Sequence, residues 1–128
     1  MGSLILDASV LIGLLDDADA HHQRAVDDVE AADEASTELV APASAYSEAM
    51  VAFARVERIG DAREAIAAMG IRVSPLDART AERTAELWAR HPRLRLHDAI
   101  VLATAHELGG GFLSYDERLA RYASIDDR

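Results

Sequence analysis

Four acidic residues stand where an alternating strand–helix chain would place chemistry. Asp7 ends the apolar run Leu4-Ile5-Leu6, and Asp116 lies two residues past Ser114, at the end of Phe112-Leu113-Ser114. Asp98 opens the apolar stretch Ala99-Ile100-Val101-Leu102-Ala103, and Glu48 sits in an alanine-rich helical segment that follows Pro42. Four carboxylates converging in one cleft repel each other, so either some protonate or a divalent cation neutralises them. Oxygen-only donors select hard ions such as Mg²⁺ or Mn²⁺. Such an ion can activate water and neutralise charge on a phosphodiester under attack, chemistry that needs no Lys, Cys or Ser nucleophile.

Taken singly, each acid has an ordinary explanation. An aspartate between a strand and a helix is most often an N-cap, which stabilises by about 1 kcal/mol; Asp61 and Asp77 read as caps of that kind. Asp98 would suit the positive end of a helix dipole. Glu48 is harder to dismiss. Its neighbours at helical spacing are Ser44, Ala45, Val51 and Ala52, none of them a cation. Beside such an apolar arc a carboxylate is costly unless something offsets its charge, or it must turn outward to water.

The composition removes competing chemistries. The 128 residues carry 23 acids against 13 cations, a formal charge of −10, and every cation is an arginine. With no cysteine there is no disulfide framework, thiolate nucleophile or Cys-ligated metal. With no lysine there is no Walker-A phosphate lysine and no Schiff base. The acidic balance argues against a broad basic face for nucleic acid, though not against local contact. The longest apolar run, Ala49–Ala54, is far too short to span a membrane, and the N-terminus has no basic region of a signal peptide, so a soluble cytoplasmic protein is expected.

The elements that must hold these acids are short apolar strands alternating with helices. Strands are expected at Leu4–Leu6, Glu38–Ala41, Ile71–Val73 and Phe112–Ser114. Asp7-Ala8-Ser9 opens the first helix, and His22, Ala25, Val26 and Val29 mark the inner face of the second. Pro42 suits the first turn of a third helix running to about Ile59 and stopping at Gly60, with Asp61–Met69 the next. Asp77 caps a longer helix with Ala78, Ala81, Ala85 and Trp88 expected inward, after which His91–Arg95 is a polar loop. His97–Leu108 is apolar almost all round and should be buried. The alternation means βαβ units, a parallel sheet and one domain over residues 1–128, with ligands bound beyond the carboxyl ends of the strands. The loops after parallel strands share one edge, which brings Asp7 and Asp116 together. Asp98 and Glu48 join them if their helices pack across that edge.

These residues also form a recognisable series. Leu4-Ile5-Leu6-Asp7-Ala8-Ser9-Val10-Leu11-Ile12 resembles the opening of PIN-domain proteins, and Asp19-Ala20-His21-His22-Gln23-Arg24-Ala25 resembles their second-helix segment. Ser47-Glu48 resembles the helix bearing the family's glutamate. Leu96-His97-Asp98-Ala99-Ile100-Val101-Leu102-Ala103-Thr104-Ala105 is similar to the helix of its third acid, and Leu113-Ser114-Tyr115-Asp116 to its last strand motif. The likeness runs in order along the whole chain and is strongest to VapC-type toxins of bacterial toxin–antitoxin pairs. It implies a three-layer α/β PIN-like fold, with a parallel sheet of about four to five strands flanked by helices. It also implies a Mg²⁺- or Mn²⁺-dependent endoribonuclease, a homodimer, cleaving RNA and inhibited by a small cognate antitoxin.

Asp7, Glu48, Asp98 and Asp116 then take the family's acid roles in catalysis and metal binding, Asp7 and Asp98 being the foremost ligands. Asp116 is the position most open to variation, since the neighbouring Glu117 could serve instead. Ser9 and Ser114 are candidate supports for the acid cluster, and Arg93 and Arg95 candidates for RNA phosphates or an antitoxin. His21 and His22 read as packing at a helix start. Two rival readings stand beside this one. A catalytically silent PIN-like module that only binds RNA or a partner is opposed by the presence of all four acids. A metal-dependent phosphatase is opposed by Ser9, which occupies the place of the second aspartate in an Asp-x-Asp nucleophile motif.

Overall fold

The computed structural model describes residues 2–122. In chain order the elements are β1 Ser3–Leu6, α1 Ala8–Leu15, α2 His22–Glu34, β2 Glu38–Pro42, α3 Ala43–Arg55, α4 Ile59–Ala68, β3 Ile71–Ser74, α5 Ala78–Arg90, α6 Leu96–Leu108, β4 Gly111–Leu113 and α7 Glu117–Ala120. The strands form one four-stranded parallel sheet in the order β3-β2-β1-β4. Successive strand side chains alternate between faces. Leu6, Leu39 and Ala41 therefore pack on one side with Val10, Leu11, Ala45 and Met50, while Ile5 and Val40 pack on the other with Leu87, Val101, Leu102 and Leu119. Both faces are covered, as a parallel sheet requires, and each fully buried Leu or Ile contributes about 1.5–3 kcal/mol. Among the described residues, no helix is long and apolar enough to cross a membrane.

From β1 the chain steps outward through β2 to β3, then returns to the other side of β1 for β4. The direction of stepping reverses between β1 and β4, and the crevice beyond their carboxyl ends is the binding place of such sheets. Reaching it depends on a tight turn. Gly109 closes α6 in the left-handed region at φ 65°, and the Gly110 N–H returns to the Ala105 carbonyl at 3.0 Å. Gly110 then passes so close to β1 that a Cβ there would lie 2.2 Å from the Ser3 carbonyl oxygen. Only glycine lets β4 dock at this register.

The structure corrects the sequence reading in three places. The break between α3 and α4 falls at residues 56–58, where Glu57 takes φ 58°, so Gly60 lies inside α4 rather than ending α3. Asp61 consequently does not cap α4; it sits in the first turn and pairs with Arg58 at 2.7 Å. Pro42 ends β2 and stands just before α3 rather than in its first turn. The buried face of α5 is Thr80, Thr84 and Leu87, and Trp88 is 42% exposed instead of belonging to the core. Burying these threonines costs little, because the Thr84 hydroxyl donates to the Thr80 carbonyl at 2.7 Å. Helix α6 is buried from Asp98 to Ala105, as its apolar circumference predicts.

Candidate metal centre

Asp7 follows β1 directly and caps α1: its Oδ1 accepts the Val10 N–H at 3.2 Å. The same carboxylate is gripped by two serines. The Ser9 hydroxyl donates to Oδ1 at 2.5 Å, and the Ser114 hydroxyl makes a short hydrogen bond to Oδ2. Each serine is itself held from behind, since Ser9 Oγ accepts the Tyr115 N–H at 2.9 Å and Ser114 Oγ accepts the Asp116 N–H at 3.0 Å. The hydroxyl protons are thereby committed to Asp7, which is only 7% exposed. A carboxylate offers about four acceptor directions. Three are filled, which leaves Asp7 one acceptor direction, on Oδ2, for a further ligand.

Asp98, also 7% exposed, lies in the first turn of α6, where its charge complements the helix dipole. Asp116 caps α7 by accepting the Arg118 N–H at 2.9 Å. Glu48 projects from the second turn of α3 with its side chain 43% exposed, and no cation of its own helix answers it. Its partner comes from α6: His97 Nδ1 lies 3.8 Å from Glu48 Oε1, and His97 Nε2 lies 3.5 Å from Asp98 Oδ1. The four acids line one cavity of about 210 Å³, together with Ser9, Arg95 and His97. Glu117 is exposed and takes no part in it.

Arg95 behaves otherwise than as a free phosphate-binding arginine. Its Nε donates to Asp98 Oδ2 at 3.0 Å and its Nη2 to Asp116 Oδ2 at 2.9 Å, so one guanidinium joins two acids from different elements. The hydrogen bond to Asp98, together with the neighbouring negative charges, raises the Arg95 pKa further. At Asp116 burial alone would raise the pKa. The Arg118 hydrogen bonds and the charges of Arg118 and Arg95 outweigh it and hold the carboxyl below its ordinary range. Arg93 stands away from the acids and lines an adjacent groove with Arg118, Arg121 and Tyr122.

Sequence reasoning missed Tyr115. Its phenol donates to Asp28 at 2.6 Å under the Arg24 guanidinium, 4.4 Å from the ring centre, with the His21 ring tilted against it at 5.0 Å. Burial first, then the Asp28 carboxylate, pushes the phenol well above its ordinary pKa. This fixes the loop whose N–H groups hold Ser9 and Ser114, and it gives His21 its packing role. His22 is held differently, by a hydrogen bond between its Nδ1 and the Gly13 carbonyl at 2.7 Å. The signal for Tyr115 was its position between Ser114 and Asp116; the signal for His97 was its place beside Asp98.

The carboxylate and hydroxyl oxygens of this cavity are the donors a hard divalent ion takes, and Asp7 keeps an acceptor direction for one. The residue set therefore fits Mg²⁺ or Mn²⁺. In the present arrangement no three His, Asp or Glu side chains among the described residues gather closely enough to hold an ion, and Arg95 supplies the positive charge between Asp98 and Asp116.

Comparison with known proteins identifies the family and the fold. The PIN domain family matches residues 4–125, and the chain belongs to that family. Three solved structures share its fold. A toxin–antitoxin complex from Klebsiella pneumoniae has a TM-score of 0.74 at 22% identity, covering 95% of this chain and 92% of that one. VapC20 of Mycobacterium tuberculosis, a toxin that cleaves the sarcin–ricin loop, has a TM-score of 0.70 at 19% identity, covering 92% and 93%. VapBC2 of Rickettsia felis, bound to a DNA fragment from its promoter, has a TM-score of 0.74 at 8% identity, covering 93% and 92%. At these identities the likeness is one of fold. No curated protein is significantly similar to the chain.

Proposed function

We propose that this chain is a metal-dependent endoribonuclease, the toxin of a toxin–antitoxin pair. The observation that carries the reading is the convergence of Asp7, Glu48, Asp98 and Asp116, from four separate elements, on one cavity at the sheet's switch point. Asp7 and Asp98 would hold Mg²⁺ or Mn²⁺, with Glu48 and Asp116 completing the set. When bound, such an ion neutralises charge on a phosphodiester and makes water more acidic. The chain's own part is to hold Asp7 in one orientation through Ser9 and Ser114, and to hold Asp98 at the head of a buried helix. Glu48, half in solvent and facing His97, is the acid best placed to exchange protons with water.

An antitoxin is supported by a second groove. Ile12, Leu15, Ala49, Ala52 and Phe53 line its apolar part and Asp16, Asp17 and Glu48 its acidic part, beside the acid cavity, with which it shares Ile12 and Glu48. A basic amphipathic segment complements that surface in both charge and polarity. The test is cleavage of labelled tRNA and rRNA by the purified chain with Mg²⁺ or Mn²⁺, with EDTA and Asp7→Asn as controls. Cleavage that depends on the ion and on Asp7, leaving 5′-phosphate and 3′-hydroxyl ends, is the expected result. Cleavage by Asp7→Asn at the wild-type rate would remove the site assignment, and no cleavage of any RNA would favour a binding module.

A further inference from the structure

Beside the acid cavity runs a second hollow of about 400 Å³, lined by Arg93, Leu94, Arg95, Asp98, Arg118, Arg121 and Tyr122. It gathers four of the chain's 13 arginines in a protein of net charge −10. They come from two places far apart in sequence: the loop between α5 and α6, and the end of the described chain at and just after α7. Arg95 is committed to Asp98 and Asp116, and Arg118 leans on Asp116 at 3.5 Å. Arg93 and Arg121 are exposed and enter no ion pair among the described residues. Leu94 is buried beside them, and the Tyr122 ring is braced edge-on by His91 at 5.7 Å.

The two hollows share Arg95 and Asp98 as a common wall. A polymer crossing that wall would set one phosphate among the acids and its neighbours against Arg93 and Arg121. Guanidinium groups bind phosphate through two parallel hydrogen bonds, and a braced tyrosine offers a face on which an unpaired base can stack. Arginines alone would suit any polyanion; the ring beside them favours a nucleotide chain. Resting on the ribonuclease reading, we propose that this groove holds single-stranded RNA on one side of the bond to be cut, Arg93 and Arg121 taking its phosphates and Tyr122 stacking on a base.

The test is binding without cleavage. Fluorescence anisotropy of a short fluorescein-labelled single-stranded RNA is followed in EDTA across a salt series, using the whole chain. The double variant Arg93→Ala/Arg121→Ala is expected to bind about tenfold more weakly at low salt. It should also lower the slope of log K against log salt by about 1.4, at about 0.7 for each phosphate no longer neutralised. Tyr122→Ala should weaken binding about fivefold or more with the slope unchanged, and Tyr122→Phe should restore it. Arg55→Ala/Arg63→Ala, which removes two exposed arginines elsewhere, should bind as wild type. All of these positions except Tyr122 are exposed, and circular dichroism confirms that each variant is folded.

Groove variants that bind RNA as tightly as wild type overturn the proposal, as does polyglutamate displacing RNA at equal charge concentration. The two readings fail separately. A wild-type chain that cuts no RNA in Mn²⁺ removes the ribonuclease while the binding data stand. A chain that cuts, with groove variants unaltered in binding, removes only the groove.

Discussion

The N-termini of α1 and α5 are built alike around an aspartate. Asp7 and Asp77 share nearly the same extended backbone, φ −82° and ψ 178° against φ −85° and ψ 175°, and each accepts the N–H three residues on. What separates them is everything beyond the cap. Asp77 is exposed and answers to its own helix, where the Thr80 backbone N–H, followed by the Thr80 hydroxyl, holds its pKa below the ordinary value. Asp7 is buried at the switch point, where Ser9 of its own helix and Ser114 from just past β4 also donate to it and one acceptor direction stays open. Capping is thus no evidence against chemistry. An aspartate can satisfy its helix with one oxygen and keep the other for a ligand, provided that neighbours spend their own protons to hold it.

The largest expected effect sharpens this contrast. Asp7→Asn, still an adequate cap and confirmed as folded by circular dichroism, should lower RNA cleavage by more than about a hundredfold. EDTA should abolish cleavage in the wild type, and Mn²⁺ or Mg²⁺ should restore it. Asp77→Asn should change neither rate nor metal response, measured in the same assay. Ser114→Ala comes next. It strips one donor from Asp7 and should cost about 10–100-fold in activity or in Mn²⁺ affinity by titration calorimetry; wild-type values for both would mean that Asp7 needs no such support.

Asp116 is the intermediate case, a cap that also meets Arg95 and Arg118. Asp116→Asn should lower the rate by about tenfold, less than Asp7→Asn, and equal losses would erase the ranking drawn from burial. The smallest effect is on stability. Asp77→Ala should lower Tm by a few degrees at neutral pH with activity intact. Because the folded pKa of Asp77 lies below its ordinary 3.8, its stabilisation is full above that value and fades as pH falls through the folded pKa. The Tm gap between wild type and Asp77→Ala should therefore narrow in acid, and a gap constant down to strongly acidic pH would contradict the cap.

Asp7, Asp98 and Asp116 were legible because each marks a change of pattern, an apolar run that stops or a helix that begins, and Glu48 because no cation at helical spacing answers it. The strands, their parallel pairing and the burial of α6 follow from the same alternation. The inner face of α5 did not, because alanine at positions 78, 81 and 85 and threonine at 80 and 84 are both small enough to pack. The Thr84 hydroxyl, returned to the Thr80 carbonyl, makes its burial cheap, and residue type alone does not announce that. The break after α3 was read at Gly60, but a single left-handed residue, Glu57, makes it. Periodicity carries no information on where a long side chain turns its head, so Arg95 bridging two acids lay outside it. The same holds for Arg93 meeting Arg121, which requires the fold itself.

The bond from Ser114 to Asp7 spans 107 residues, and it forms only when β4, the last strand, docks against β1 past Gly110. Chains emerge from the ribosome N-terminus first, so Asp7, Glu48 and Asp98 all leave before the strand that completes their setting. A half-made chain has its acids but not the corner that orients them. The acid site is therefore assembled only after the chain through Ser114 has emerged and folded back on β1.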